Sequence, residues 1–416
     1  MSTEPANLQD LIRQMAESNP AVIAELGGAD TFNKTLQNIG TLDQKFEERG
    51  GVFFHTGSDA FDTAAKFTQL HVEEYRSTGR PSLPALAAHH AEKLGLDAGS
   101  PEYKAMMLVA ARAEVEMAVT PDYHNKFHYT DVAAMTANFL EKNDAFVAAG
   151  DPRGVPLTKE EKALTFITAI GHDIDHAGKS NPKEDPLFNE KKSFAAIEPL
   201  LKEAGLSARQ IADVHTILMT TSPNGPHAVL KSLAKGDREG APATLEGIRD
   251  ADAEGKKKMG VAPDAIKPLY FDELKGLEGN GKLIQMAAML SDADLYASSG
   301  AGMTSSMAMS TALTAEGRKF MGLDLDFTTD KNRKFFLDQI VGTEGYASNA
   351  GRAVANDKFM ELQQETNRRV AFNAAAAPPP AAEAPSKFMQ PAEKAPAAVV
   401  NAAPTRKTGA PKPGGM

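Results

Sequence analysis

Residues 163–170 form an apolar run, Ala-Leu-Thr-Phe-Ile-Thr-Ala-Ile, which would be hydrophobic on almost every side of a helix. Such a helix must be surrounded by other elements, because it has no face for water. The run leads into His172, Asp173, Asp175 and His176. Charged and imidazole groups that emerge from an interior helix need partners or a metal ion. The chain is therefore expected to fold around this helix, with a polar centre at its end.

Helical periodicity extends over most of the chain, whereas strand signals are scarce. The pattern predicts helices over residues 7–18, 59–78, 84–95, 101–118, 126–142, 158–174, 190–204, 207–220, 263–276, 281–299 and 331–341. Residues 234–262 are polar and rich in Lys, Asp and Gly, which favours a loop or a surface insertion, with a short helix possible. We therefore predict an all-α fold, a compact multi-helix domain.

The composition divides the chain into three predicted parts. Residues 1–98 are helical and separable from the histidine motifs, either as a subdomain or as the outer helices of one domain. Residues 99–372 hold the candidate site. Residues 373–416 are rich in Ala, Pro and Lys and have little with which to form a core, so we expect a disordered tail. The tail is either solvated or an arm that binds an unknown partner.

The composition also excludes several classes of protein. None of the 416 residues is cysteine, so disulfides, cysteine-based zinc sites and thiol nucleophiles are excluded. The net charge of −10 argues against nucleic acid as a main partner. The chain has no apolar run of about 18 residues and no secretory signal, so we expect no membrane span and a cytoplasmic location. No feature of the sequence predicts the oligomeric state.

A second histidine pair lies within residues 123–128, Tyr-His-Asn-Lys-Phe-His. His124 and His128 are four residues apart, so on a helix they would share one face, which Asp131 continues. Taken alone, the pair is equally compatible with two histidines that pack in the core and have their hydrogen bonds satisfied. Neutral imidazole and ionised carboxylate are, however, the ligands of Zn²⁺- and Mg²⁺-type hydrolytic sites. Together with the cluster after residue 170, the pair favours a metal-dependent hydrolase.

The predicted helix over 281–299 offers a further carboxylate. At 100° per residue, Asp294 falls on the same apolar stripe as Leu283 and Leu290. Asp292 falls on the opposite side. We therefore predict that Asp294 is buried and available to a metal, and that Asp292 is a surface charge.

These segments resemble the motifs of the class I 3′,5′-cyclic nucleotide phosphodiesterases. Residues 123–132 are similar to that family's YHNxxHxxDV signature, and residues 172–181 to its HDxxHxGxxN signature. Residues 293–295, Ala-Asp-Leu, resemble its later metal-aspartate motif. The resemblance covers about residues 100–350 and implies an all-helical, HD-type phosphodiesterase catalytic domain.

The resemblance implies a role for each matching residue. The ligands of a first metal, zinc in this family, would be His128, His172, Asp173 and Asp294. Asp173 would also bridge to a second metal, magnesium or manganese. A metal-bridging hydroxide would attack the phosphorus of cAMP or cGMP, and His124 would be the general acid that protonates the leaving O3′. His176 would orient the bridging water or the waters of the second metal.

Three further carboxylates are candidates for supporting roles around the metals. Asp131 and Asp175 could accept hydrogen bonds from the far nitrogens of the histidine ligands, which such sites require. Glu184 is a possible stand-in for the acid near the second metal.

Substrate recognition is where the chain departs from the family pattern. The family places a glutamine that hydrogen-bonds the purine three residues before a clamping phenylalanine. In residues 331–341 the phenylalanine corresponds to Phe336, but Arg333 occupies the place of the glutamine. Tyr123, Phe336 and Arg333 are the candidate substrate-binding residues, although Phe336 is also compatible with plain core packing.

Three functions follow from these observations. The first is two-metal hydrolysis of a cyclic nucleotide. The second is hydrolysis of another phosphoester by an HD-type phosphohydrolase, which the missing glutamine favours. The third is a non-catalytic interaction or effector protein on a phosphodiesterase scaffold. Intact metal ligands weigh against the third, because a buried His/Asp cluster without a metal costs stability.

Overall fold

A computed structural model describes residues 13, 23–24, 28–47, 80–115, 122–182, 184–223, 225–240, 243–258, 270–322, 326–342 and 344–376. Every regular element within these ranges is a helix, which confirms the all-α prediction. The helices are α1 (Ala29–Glu47), α2 (Leu83–Lys93), α3 (Pro101–Val115), α4 (Lys126–Ala148), α5 (Lys159–Gly171), α6 (Phe188–Ala204), α7 (Ala208–Met219), α8 (Pro226–Arg238), α9 (Leu245–Lys258), α10 (Gly281–Ser299), α11 (Met303–Met321), α12 (Asp330–Phe335) and α13 (Asn349–Ala376).

Helix α5 lies at the centre of the fold. Its first turn is fixed by a capping box, in which Thr158 and Glu161 each bond the other's backbone N–H. The apolar run that follows is buried throughout, and the helix packs against α3, α4, α7 and α10. The C-terminal end of α5 therefore opens into the interior of the domain.

The N-terminal helices join the same core. Helices α1 and α2 both pack on α3, and Phe32, Leu36 and Ile39 belong to the hydrophobic cluster that also contains α5. The compact unit that contains these helices ends at Phe372. The proposed boundary between residues 98 and 99 stays a prediction.

Two predicted helices and the predicted tail lie largely or wholly outside the described residues. These are residues 7–18, of which only residue 13 is described, residues 59–78, and residues 377–416. Helix α13 continues to Ala376, four residues into the predicted tail.

Several predicted elements differ from the structure. Residues 234–262 were predicted as a loop or a surface insertion with a short helix possible; α8 continues to Arg238, and α9 runs from Leu245 to Lys258. Among the described side chains of α9, Leu245 and Ile248 contact the hydrophobic core, and two apolar residues do not produce a clear helical period. The described part of the predicted helix 263–276 consists of turns and a 3₁₀ turn, Lys275–Leu277. The predicted helix 331–341 is α12 followed by a π-helical turn, Phe336–Gly342.

The side chain of Asp294, which was predicted to be buried, is 19% exposed, and the prediction that Asp292 is a surface charge is wrong. The side chain of Asp292 is fully buried and accepts the backbone N–H groups of Ala347 and Ser348, each at 2.7 Å. Burial raises the pKa of Asp292 to about 6, against the hydrogen bonds that favour the carboxylate. Helix α10 is covered on nearly all sides, so the side opposite its apolar stripe faces protein rather than water.

Within the described ranges, no helix combines the length and the apolar character needed to cross a membrane.

Candidate metal centre

Four side chains from three helical regions converge at the end of α5. His128 stands in the first turn of α4, His172 caps the C-terminus of α5, and Asp294 comes from α10. One ligand atom from each lies within 4.8 Å of the others. Asp173 Oδ2 lies 3.2 Å from His128 Nε2 and 3.1 Å from His172 Nε2. The structure thus brings together the four residues expected to bind the first metal.

The tautomer of His172 suits a metal ligand. Its Nδ1 lies 2.8 Å from the carbonyl oxygen of Ala169, which can only accept a hydrogen bond. Nδ1 must therefore carry a proton, so in the neutral ring the lone pair is on Nε2, the nitrogen that a metal would bind. Nε2 lies 3.3 Å from His128 Nε2, inside the cluster. A backbone carbonyl thus takes the orienting role that the sequence suggested for a carboxylate.

The charges of the cluster favour a cation at its centre. Burial works to lower the pKa of His128, but its hydrogen bonds with Asp173 and Asp294 raise that pKa to about 9. In return, the histidines hold the pKa of Asp294 well below its ordinary value, against the effect of burial. Two carboxylates and two imidazoles are a set of nitrogen and oxygen donors that suits zinc and harder divalent ions. The donor set therefore fits the expected metals.

His124 does not share a helical face with His128. The side chain of Asn125 accepts the N–H of Phe127 at 2.9 Å and that of His128 at 3.4 Å, so Asn125 caps α4 and His124 precedes the helix. The expectation of a common face was wrong because an asparagine in this position starts a helix rather than continues one. His124 needs a different support.

That support is Glu316 of α11, which sequence reasoning missed. Its Oε1 lies 2.5 Å from His124 Nδ1, and its Oε2 accepts the backbone N–H groups of Tyr123 at 2.8 Å and His124 at 3.0 Å. The side chain of Glu316 is fully buried. Burial works to raise its pKa, but these hydrogen bonds outweigh it and lower the pKa. Glu316 is thus an ionised carboxylate that fixes the orientation of the His124 ring.

His176 lies against the other side of His124. The two rings are stacked with centroids 3.8 Å apart, and Nδ1 of His176 accepts the backbone N–H of Gly178 at 3.1 Å. Burial, followed by the nearby His124, lowers the pKa of His176 to about 3. His176 is therefore neutral and groups with His124 and Glu316 rather than with the four metal-binding candidates.

A cavity of about 560 Å³ opens beside these groups. Its lining includes the polar residues His124, Asp173, His176, Asp294 and Glu316. The same cavity is lined by Tyr123 and by apolar residues that include Leu295, Phe327 and Phe336. Metal-binding candidates, a buried His–Glu pair and an apolar wall thus meet in one space large enough for a small organic ligand.

Comparison with known proteins agrees with this geometry. Residues 123–188 match the model of a family described as 3'5'-cyclic nucleotide phosphodiesterase. The match is confined to this segment and supports a relationship to the family. The matched segment contains His124, His128, His172 and Asp173, whereas Asp294, Glu316 and Arg333 lie beyond it. No curated protein matches the sequence.

The residue in the place of the phosphodiesterase glutamine lines this cavity. Arg333 is only 2% exposed, and its Nη1 donates to Asp330 Oδ1 at 2.8 Å. Phe336, one turn later, is half-buried and lines the cavity as well. The ring of Tyr123 is tilted by 36° against that of His128, with centroids 4.8 Å apart, and its hydroxyl lies 3.3 Å from Ser298 Oγ. All three substrate-binding candidates therefore line one cavity.

The structure places Glu190, rather than the predicted Glu184, beside the cavity. Glu184 is exposed and does not line the cavity, because it lies in the turn before α6. Glu190, within α6, lines the cavity, and its carboxylate accepts a hydrogen bond from Nδ2 of Asn181 at 2.8 Å. Burial raises the pKa of Glu190 to about 7. The spacing from the HDxxH motif misled the prediction by six residues.

The other two predicted supporting carboxylates lie in different surroundings. Asp131 is buried in α4, one turn after His128. Asp175 has a positive φ of 63° and accepts Nη2 of Arg112 at 2.6 Å. This ion pair holds the loop that follows His172 against α3.

Proposed function

We propose that the protein hydrolyses the cyclic phosphodiester of a 3′,5′-cyclic nucleotide, cAMP or cGMP, to the 5′-monophosphate. The family model supports cyclic nucleotide phosphodiester hydrolysis in general. One observation carries the proposal: the convergence of His128, His172, Asp173 and Asp294 beside a cavity that also holds His124.

His128, His172, Asp173 and Asp294 would hold a zinc ion, and Asp173 would also contact a magnesium or manganese ion. When bound, these metals would acidify water and stabilise the negative charge that develops on the phosphate. Asp173 supports this double role, because it lies between the histidine ligands and also lines the cavity. Glu190, which lines the same cavity, would accept hydrogen bonds from water.

His124 would donate the proton that the reaction requires. Water loses a proton to solvent as its oxygen adds to phosphorus, the P–O3′ bond breaks, and O3′ takes a proton from Nε2 of His124, which then regains one from solvent. An alkoxide is a poor leaving group, so a positioned acid is needed. The carboxylate of Glu316 holds Nδ1–H and stabilises the imidazolium before transfer, while the neutral ring of His176 limits how far His124 can turn.

Hydrolysis of cAMP and cGMP by purified protein with Zn²⁺ and Mg²⁺ or Mn²⁺ tests the proposal, with metal content measured in parallel. We expect turnover that is lost in Asp173→Ala and kept in Asp272→Ala, which removes an exposed aspartate from the surface. Metal-loaded protein that turns over neither nucleotide would contradict the proposal.

Hydrolysis of a different phosphoester is the second candidate, and Arg333 in place of the glutamine favours it. A panel of phosphomonoesters and phosphodiesters separates the two, since only the first predicts the cyclic nucleotides as the best substrates. A non-catalytic role predicts protein that binds no metal and turns over no panel member.

A further inference from the structure

We propose that Lys179 is a further substrate-binding residue, whose ammonium group binds the negatively charged phosphate of the nucleotide at the mouth of the cavity. This inference rests on the proposed function and deepens it by naming a group that recognises the phosphate. The HDxxHxGxxN signature leaves this position undefined, so the resemblance assigns Lys179 no role. Three features of Lys179 support it: its place, its lack of a partner and the charges around it.

Lys179 combines exposure to solvent with a place on the cavity wall. It is among the residues that line the cavity of about 560 Å³, and it is exposed. Within the ranges that the structure describes, its side chain has no hydrogen bond and no ion pair. Its ammonium group is therefore available to a ligand that enters from solvent, and it offers that ligand three N–H donors.

The backbone that carries Lys179 is fixed from two sides. Its carbonyl oxygen accepts a hydrogen bond from Nδ2 of Asn189 at 2.7 Å, which ties it to α6. The N–H of Ser180 donates to Sδ of Met321 at 3.3 Å, which ties the next residue to the end of α11. The lysine side chain thus extends from an ordered loop, so binding a ligand costs less conformational entropy than it would from a mobile one.

The same loop contacts the group that holds the candidate acid in place. The backbone N–H of Gly178 donates to Nδ1 of His176 at 3.1 Å, and the ring of His176 is stacked on that of His124. For O3′ to take a proton from Nε2 of His124, the phosphate must lie in front of that ring. Lys179 follows Gly178 and lines the same cavity as His124. The phosphate would therefore lie on the side of the cavity from which Lys179 extends.

The charges of the cavity also favour an anion beside Lys179. Four carboxylates line it, those of Asp173, Glu190, Asp294 and Glu316. The other cation among the described lining residues is Arg333, whose charge is paired with Asp330. Two divalent ions would balance the four carboxylates, so the ammonium of Lys179 gives the loaded site an excess of positive charge. A phosphate anion complements that excess.

Ligands of graded charge test this role. Guanosine is neutral, cGMP is a monoanion and GMP is close to a dianion at neutral pH, while all three carry the same base. In Lys179→Gln, KM for cGMP should rise roughly 3- to 10-fold with little change in kcat, because the lost attraction acts on bound substrate and transition state alike. Adenosine, cAMP and AMP form the equivalent series if cAMP is the substrate.

The inhibition constants of the other two ligands complete the series. The inhibition constant of GMP should rise more than KM for cGMP, because GMP carries more negative charge. The inhibition constant of guanosine should not change. Unchanged constants for both cGMP and GMP, or an equal rise for guanosine, would overturn the inference.

Two further variants separate the place of the charge from the charge itself. Lys331→Gln removes the same charge at another exposed lysine, which does not line the cavity, and should keep the wild-type constants. Lys179→Arg keeps a cationic donor at the cavity and should keep both constants within about threefold of the wild type. Equal effects of Lys179→Gln and Lys331→Gln would overturn the inference, since net charge rather than position would then be responsible.

Chemical modification provides a readout that needs no turnover. Acetic anhydride acetylates exposed amines, and peptide mass spectrometry follows Lys179 and Lys331 in the same sample. GMP or inorganic phosphate, added to the metal-loaded protein, should slow acetylation of Lys179 by about threefold or more and leave Lys331 unchanged. Absence of protection at Lys179 by both anions would overturn the inference.

Failure of the proposed function is distinguishable from failure of this inference. Turnover of neither cyclic nucleotide would overturn the proposed function alone, and protection of Lys179 by inorganic phosphate would then decide the inference. Turnover with unchanged constants in Lys179→Gln would overturn the inference alone. If Lys179→Gln does not fold, acetylation of the wild-type protein still decides it.

Discussion

Nδ1 of His124 lies 2.5 Å from Oε1 of Glu316, although 192 residues separate the two in the chain. The same carboxylate accepts the backbone amides of Tyr123 and His124. Three hydrogen bonds to one buried group thus fix both the loop before α4 and the ring that it carries. The first prediction follows from this arrangement.

Glu316→Gln should lower kcat for cyclic nucleotides by roughly 10- to 100-fold, with a smaller change in KM, because His124 loses the group that stabilises its imidazolium. Bis(p-nitrophenyl) phosphate, whose leaving group departs without a proton, should be hydrolysed at close to the wild-type rate. Glu246→Gln, at an exposed position, is the control. Equal loss with both substrates would show that Glu316 serves the fold rather than the proton transfer.

His124→Ala should reduce cyclic nucleotide hydrolysis by about 10²- to 10⁴-fold, the range for loss of a general acid. Metal content should stay at the wild-type level, because the four candidate ligands are untouched. Metal analysis alongside steady-state kinetics checks both points. Loss of metal in this variant would place His124 among the ligands instead.

Two aspartates of α10 should respond in opposite ways to the same substitution. Asp294→Asn should lose bound metal and activity, since its carboxylate lies 3.1 Å from His128 Nε2 inside the cluster. Asp292→Asn should retain metal but lower the free energy of unfolding by about 1–3 kcal/mol, because two backbone N–H groups lose a charged acceptor. Metal content and urea unfolding of both variants decide this. Similar metal loss in both would argue against the assignment of Asp294.

His90 should make stability depend on pH. It is buried and stacked on Phe166 with ring centroids 4.2 Å apart, and burial lowers its pKa from 6.5 to about 3. Below pH 6.5 the unfolded chain takes up a proton at His90 that the folded protein excludes. Stability should therefore be fully present above pH 6.5 and fall as the pH drops towards 3. His90 alone should remove up to about 2 kcal/mol by pH 5.

Urea unfolding at pH 7.5 and pH 5 in EDTA measures this effect. His90→Leu, which has no proton to exclude, should lose less stability between the two pH values than the wild type. An equal loss in both proteins would show that other groups carry the pH dependence.

Local sequence patterns predicted the helical class and the position of α5, because capping residues and apolar spacing act over a few residues. They also identified His128, His172, Asp173 and Asp294, since two motifs and one helical stripe mark them. The same reasoning failed at Asp292, which the apolar stripe of α10 predicted to face solvent. A stripe shows which side is apolar, but it does not show what covers the other side.

By itself, the sequence determined which side chains could serve as metal ligands and that they sit on interior helices. Only the tertiary structure decided that Glu316 supports His124, that Glu190 rather than Glu184 lines the cavity, and that Asp330 fixes Arg333. Helix α11, which carries Glu316, was not among the predicted helices. Contacts between segments far apart in the chain depend on how whole helices pack. The spacing of apolar residues within one helix does not indicate which other helix it packs against.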